Sequence, residues 1–431
     1  MLAPEATFRP AHLFGLAVRV ASHLSYAPLL AVAATISLVK IVIYARLLPI
    51  VEFGIASQML LLSGFFSLFG NLGTQLIAAR DAPVLFQREQ PREAVAVLAR
   101  SVLVTVAVGL LCLALGVLGA RPFELSRLAV ALAVIHGLLV QIFTTVVIET
   151  RSRLAMMRYA REVTARAALM ILAGVGAAWA GWGGEGVIAG EIAATLVVLP
   201  SLTWNILKRA HVSLGELVVA LRTMGADVPW RPSLILLAGS LISFLSFNLD
   251  RWIAAFVLDR REFAQYSFAW IAALTAQSLQ FLLNAGIFPL LARRTMNETL
   301  AAGLRLAGAI SIATLCLGFL GAVVAVVLVP PIVNAWLPQY DSAITLMLPL
   351  VAAAIFRVSD FWASYLITSH HEMRMLTVQA TAIVAVTMLW FPIAAASGFA
   401  QIGLSLAWLA FALAAITHVS NAIAAWLVPR Q

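Results

Sequence analysis

The sequence predicts an all-α polytopic membrane protein, with about twelve transmembrane helices in two parallel six-helix bundles around a central cavity. Three observations carry that expectation. First, 62% of the 431 residues are hydrophobic and 11% are charged, with a mean hydropathy of +0.99. Soluble domains carry roughly 25% charged residues, so lipid is this chain's solvent. Second, the apolar residues fall into runs long enough to cross a bilayer, which takes about 20 residues as a helix. Third, the two halves of the chain repeat each other.

The runs come in order. Residues 1–10 hold Glu5, Arg9 and two prolines and show no cleavable signal peptide. Residues 11–24 (AHLFGLAVRVASHL) read as a short amphipathic segment on the cytoplasmic surface. Twelve spans follow, at 26–48, 55–79, 98–119, 128–149, 164–182, 186–206, 232–256, 265–290, 303–328, 342–367, 375–396 and 400–427. The polar stretch 207–231 is the longest connection and the natural joint. It divides the chain into an N-terminal bundle (1–206), a cytoplasmic connecting segment (207–231) and a C-terminal bundle (232–431).

Basic residues orient the bundle. With a cytoplasmic N-terminus, the inner segments hold 20 of the 28 Lys and Arg residues and the outer ones hold five: Arg46, Arg121, Arg127, Arg260 and Arg261. That asymmetry places both termini in the cytoplasm. The net charge of +9 is spread in small clusters between apolar runs, which excludes a nucleic-acid surface. Cys112 and Cys316 sit inside apolar runs and indicate no disulfide framework.

The repeat has two parts. NLGTQLIAAR (71–80) matches NAGIFPLLAR (284–293), pairing Asn71, Gly73 and Arg80 with Asn284, Gly286 and Arg293. ARLLPIVEFG (45–54) matches AFVLDRREFA (255–264), pairing Leu48, Glu52 and Phe53 with Leu258, Glu262 and Phe263. Six spans per half give both halves the same orientation. They are parallel repeats about an axis along the membrane normal, with a substrate site expected between them. Arg80 and Arg293 then sit at the cytoplasmic surface as anchors, and the glycines allow close packing.

Ionisable groups inside spans are costly and mark candidate function. Lys40 lies about 8 residues from the outer end of span 1, ~12 Å deep, beyond easy snorkelling reach. It is a candidate cavity cation, or one half of a structural pair. Asp250 and Arg251 sit near the outer end of span 7, and Asp250 occupies the repeat position of Lys40. The two opposite charges are expected to face each other as a gate. Arg357 and Asp360 on span 10 have i,i+3 spacing, so they form either a self-neutralising pair or a cavity contact. Glu191 is a candidate proton or cation site. Glu149 reads as interfacial, and His136 and His418 as hydrogen-bonded packing residues. The amides Asn71, Gln75, Asn248, Gln277, Gln280 and Asn284 could bind a sugar or join helices. No catalytic motif, Gly-rich phosphate loop or metal-binding spacing is present, so no cofactor is expected.

The stretches VKIVIYARLLPIVEFGIAS (39–57), FGNLGTQLIAAR (69–80) and FNLDRWIAAFVLDRREFAQYSFA (247–269) resemble the polysaccharide flippases of the multidrug/oligosaccharidyl-lipid/polysaccharide exporter superfamily, the O-antigen and teichoic-acid export type. The usual Gly-Pro after span 1 is replaced here by Pro49-Ile50-Val51, while Glu52-Phe53-Gly54 is kept. The resemblance implies a flippase that turns an undecaprenyl-pyrophosphate-linked oligosaccharide from the inner to the outer leaflet. Alternating access would be driven by H+ or Na+, for lipopolysaccharide or other polysaccharide biosynthesis. It implies cationic cavity residues (Lys40, Arg251 and Arg357), with membrane lipids and other polysaccharide assembly proteins as partners. The competing reading is a multidrug-type cation-coupled antiporter of the same superfamily, which would favour acidic groups in an apolar cavity. A polytopic glycosyltransferase or polymerase would need a sizeable external loop, and the longest here (329–341) is short.

Overall fold

The computed structural model describes residues 26–118, 122–213, 215, 228–396 and 401–428. The expected amphipathic segment at 11–24 and residues 216–227 of the connecting segment lie outside the described residues, as do Arg9, Arg19, Arg121, Arg222 and Arg430. The described residues form helices and no strand. A chain in lipid has no water to satisfy its peptide groups, and a helix satisfies them within the segment.

Eleven helices among the described residues are long and apolar enough to span a membrane. Spans 1 to 6 are Ala27–Leu47, Ile50–Phe69, Pro91–Leu118, Arg127–Val146 continued by Ile148–Ser152, Met156–Trp179 and Gly183–Ala210. Span 7 is Trp230–Val257 and span 9 is Leu300–Trp336. Span 10 is Ile344–Val358 plus Phe361–Thr368, span 11 is Glu372–Ala396 and span 12 is Ile402–Trp426. The twelfth expected run, span 8, folds as the continuous helix Ile271–Asn297 behind the short helix Arg260–Ala269. Thr275, Gln277, Ser278, Gln280 and Asn284 dilute its apolar character. Spans 1 to 6 pack chiefly on one another, as do spans 7 to 12.

The first repeat pair folds alike in both halves. Span 1 ends in an extended Leu48 (φ −86°, ψ 145°), and span 7 ends in an extended Leu258 (φ −93°, ψ 147°). A new helix starts two residues later in each case, at Ile50 and at Arg260. These elbows meet. A Cβ on Gly54 would collide with the Arg260 carbonyl and touch the Ala264 methyl, and Gly54 and Ala264 are themselves repeat-related. The pseudo-two-fold axis therefore passes between them. Around this contact Tyr340 is fully buried between Phe53 (5.6 Å) and Phe268 (4.4 Å). Gln339 Nε2 donates to the Ala45 carbonyl at 3.2 Å, and an Arg260 Nη donates to the Glu124 carbonyl at 2.9 Å. The two halves are joined at the Leu48 end.

The matched glutamates have diverged. Glu262 completes a capping box with Asp259, whereas Glu52 Oε2 accepts from the Gly184 amide at 2.7 Å, tying span 2 to span 6.

The second repeat pair diverges in backbone. Span 2, expected to run to 79, stops at Phe69. Asn71 Oδ1 accepts from the Gly73 amide at 2.7 Å, and Asn71 Nδ2 donates to the Leu68 carbonyl at 2.9 Å. These local bonds compete with the helix ladder. Leu72 (φ 47°) and Gly73 (φ 80°) are left-handed, and a separate helix, Thr74–Gln87, begins. A Cβ on Gly73 would strike the Ser233 carbonyl of span 7. In the other copy, residues 284–286 stay within one unbroken helix. The shared Asn and Gly therefore do not by themselves make the turn, whereas the close approach of span 7 to Gly73 requires it.

Candidate functional site

A cavity of about 340 Å³ lies between the halves, beyond the joined elbows. Span 1 contributes Lys40 and Tyr44, span 2 contributes Ser57, and span 7 contributes Asn248 and Arg251. Trp270 and Gln277 line it as well, with Ser37 and Ser267. One cation thus enters from each half. Arg251 is held in place: its guanidinium lies 4.9 Å from the Trp270 ring centroid, and an Nη donates to the Ser57 carbonyl at 3.4 Å. Buried Arg heads placed on aromatic faces keep their charge. The volume sits at the lower end for ligand sites, enough for a charged headgroup but not for a long glycan.

Lys40 is not aimed at Asp250. Its Nζ is 2.7 Å from Glu191 Oε1 on span 6, and Glu191 is fully buried. The same Oε1 accepts from the Tyr44 hydroxyl at 2.9 Å. His136 Nε2 is 3.2 Å from Glu191 Oε2, and Ser63 Oγ is 2.6 Å from His136 Nδ1. His136, expected as a packing residue, belongs to this cluster. Arg166, one of the 20 basic residues assigned above to the inner segments, lies within the bundle. Its Nε bonds Thr195 Oγ1 at 3.2 Å and its guanidinium stands 4.6 Å from the Phe143 ring centroid.

Asp250 also turns into its own half. Its Oδ2 accepts from the Tyr266 hydroxyl at 2.6 Å and from Trp270 Nε1 at 3.1 Å, while Arg357 stands 3.7 Å from Oδ1. The expected Lys40–Asp250 gate is therefore replaced by two pairs, one within each bundle. Helical geometry explains this: adjacent residues point about 100° apart, so if Arg251 faces the cavity, Asp250 cannot.

Arg357 and Asp360 do not pair within a helix. Span 10 breaks at Ser359, and Asp360 caps the next segment by accepting from the Ala363 amide at 3.3 Å. Asp360 Oδ2 also accepts from Asn421 Nδ2 at 2.7 Å. Both residues line a separate cavity of about 190 Å³ inside the C-terminal bundle, with Gln280 and Gln379. The first half holds the counterpart of this break. Span 4 breaks after Val146, and the fully buried Glu149 is gripped by Arg209 of span 6 at 2.8 Å and by Arg153 at 2.6 Å. Glu149 is thus a buried structural acid rather than an interfacial one. Asn421 and Arg209 occupy matching places in the two halves. Arg80, exposed and bonded to Asp81 at 2.7 Å, stays outside the cavity. Asn248 lines the central cavity while its Nδ2 donates to the Phe244 carbonyl.

Two parallel repeats, joined at matching elbows around a cavity supplied with charge by both, define the class: a multi-pass membrane transporter. A family profile described as polysaccharide biosynthesis protein matches residues 24–295. The chain belongs to that family, a flippase family of the multidrug/oligosaccharidyl-lipid/polysaccharide exporter (MOP) superfamily. No curated protein matches it in sequence. Solved structures share its fold. The eukaryotic MATE transporter AtDTX14 is 13% identical with a TM-score of 0.64, covering 96% of both chains. An inward-facing multidrug resistance MATE family transporter of the MOP superfamily is 12% identical with a TM-score of 0.61, covering 93% of both. The Vibrio cholerae MATE transporter VcmN is 15% identical with a TM-score of 0.55, covering 94% of this chain and 96% of that one.

Proposed function

We propose that this protein is a flippase for an undecaprenyl-pyrophosphate-linked oligosaccharide, moving it from the inner to the outer leaflet of the cell inner membrane. Both termini are cytoplasmic, and the cavity opens alternately to each side. The observation that carries this reading is the convergence of Lys40 and Arg251, one from each half, on one cavity. A pyrophosphate cannot cross ~30 Å of hydrocarbon unaided, and two buried cations lower that barrier. Asn248 and Gln277 supply amides for sugar hydroxyls. Arg357 faces another cavity, so its part is positioning. It sits beside Asp250, Asp250 accepts from Trp270, and the Trp270 ring underlies Arg251.

The fold relatives favour a second reading, a multidrug-type cation antiporter. The cavity chemistry speaks against it, because Glu191 and Asp250 are already bonded within their own bundles. Reconstituted liposomes separate the two. A flippase translocates a short-chain prenyl-pyrophosphate saccharide and loses this with Lys40→Ala or Arg251→Ala. Transport of ethidium with no movement of the saccharide would establish the antiporter instead.

A further inference from the structure

We propose that a groove between spans 11 and 12 binds one anionic phospholipid, with an acyl chain along the groove and the phosphate at Arg374. The site is separate from the central cavity, so the proposal does not depend on what that cavity carries.

The groove holds about 620 Å³, well inside the range of ligand sites. Its length fits one leaflet. One wall runs from Arg374 to Ala385 on span 11, and the other runs back from Leu427 to Ile416 on span 12. Each wall covers 11 residue steps, or ~16 Å at 1.5 Å per residue. That is half of the ~30 Å hydrocarbon core. A chain entering beside Arg374 therefore ends near the bilayer midplane, where a phospholipid chain ends. The depth is lined by apolar groups, among them Val378, Ala382 and Ala385. Thr377, one turn in, donates to the Met373 carbonyl at 2.8 Å and asks nothing of an occupant.

Charge at the mouth selects the headgroup. Arg374 stands where span 11 begins and span 12 ends, at the cytoplasmic face in the proposed orientation. An Nη donates to the Leu427 carbonyl at 3.3 Å, which fixes the side chain across the mouth. Its remaining N–H donors are open to a ligand. Other exposed arginines here are neutralised by carboxylates: Arg80 by Asp81 and Arg294 by Glu298. Arg374 forms no ion pair among the described residues. Glu372 lies two residues earlier, about 200° around the helix, and is not part of the groove. A cation at headgroup level attracts anionic lipid, and the apolar trench below it takes the chain that lipid carries. The opposite side of span 11 packs on span 7, where Ser243 Oγ donates to Gln379 at 3.1 Å. The lipid thus fills the outer side of a helix whose inner side lines the C-terminal cavity.

Native mass spectrometry of the full-length protein tests this, with dioleoyl phosphatidylglycerol, dioleoyl phosphatidylcholine and dihexanoyl phosphatidylglycerol added in turn to the detergent solution. Wild type is expected to retain one dioleoyl phosphatidylglycerol, to bind the choline lipid about fivefold more weakly, and to release the short-chain lipid. Arg374→Gln is expected to bind the two dioleoyl lipids equally, and Arg374→Lys to keep most of the preference. Ala385→Trp, which fills the deep end, is expected to weaken both dioleoyl lipids. If it does not assemble, Thr381→Phe fills the groove one turn nearer the mouth. Equal retention of both dioleoyl lipids by wild type, or a preference unmoved in Arg374→Gln, would overturn the headgroup site. Short-chain lipid held as tightly as long-chain, or binding unmoved by the filling variant, would remove the groove. Displacement of the phospholipid by a lower concentration of farnesyl phosphate would give the groove to a prenyl chain instead. A dimer free of lipid would give it to a second copy of the protein. Either result overturns the proposal.

Discussion

Lys40 and Glu191, 151 positions apart in sequence, form a 2.7 Å ion pair at membrane depth with almost no solvent contact. Removing one partner of such a pair leaves the other unpaired, which costs roughly 3–5 kcal/mol, whereas replacing both with apolar residues is close to neutral. Lys40→Met and Glu191→Met are each expected to lower the thermal unfolding temperature in detergent, and the double variant to recover most of the loss. Additive losses would show that the two side chains do not interact. Transport should stay abolished in the recovered double variant.

Arg251 places a planar head over the Trp270 ring and reaches the Ser57 carbonyl. Lysine keeps the charge but not that shape. Arg251→Lys is expected to retain folding, seen by gel filtration, and to lose most glycan export in a complementation assay. Export at the wild-type level in Arg251→Lys would reduce the residue to a point charge.

Gly73 combines a positive φ with direct approach to the Ser233 carbonyl. Any side chain there is strained, at about 1–3 kcal/mol for the backbone alone. Gly73→Ala is expected to lower the unfolding temperature, measured by scanning fluorimetry. An unchanged temperature would mean that the span 2 turn can relax away from span 7.

Gly54 lets the two elbows touch. Gly54→Val should wedge the Leu48 end apart and expose the cavity from that side. A cysteine introduced as Ser57→Cys, with Cys112 and Cys316 changed to serine, should then react faster with an impermeant maleimide added outside whole cells. Unchanged labelling would show that this contact does not close the cavity.

Reporter fusions after residues 90 and 215 should both report cytoplasm. An external signal at either would reverse or break the proposed orientation.

Much of this was legible in the sequence. Composition and run length gave the spans, because lipid admits little besides helices. The Leu48 and Leu258 elbows were visible as a sequence match and recur as matching backbone angles. Lys40, Arg251 and Glu191 stood out because charge inside an apolar run is conspicuous. Their partners were less readable. Repeat position suggested that Lys40 meets Asp250, but pairing depends on which way each side chain leaves its helix, and Asp250 leaves one residue's rotation away from Arg251. Tyr44 was passed over in the sequence, although its i+4 spacing from Lys40 puts both on one face. His136 and Ser63 carried no such signal, because a lone polar residue in a span looks the same whether it joins helices or holds a carboxylate. Arg166 was counted with the inner-segment arginines although it falls inside the run 164–182; its helix starts at Met156, which sets it well within the span.

The contact of Gly54 with Ala264 has an evolutionary consequence. The two positions descend from one ancestral site and now press against each other across the axis, so their volumes are drawn from the same space. In sequences that share the duplication, enlargement at one position should be accompanied by a small residue at the other. The pair should covary in size, even where the flanking stretches have drifted apart in charge.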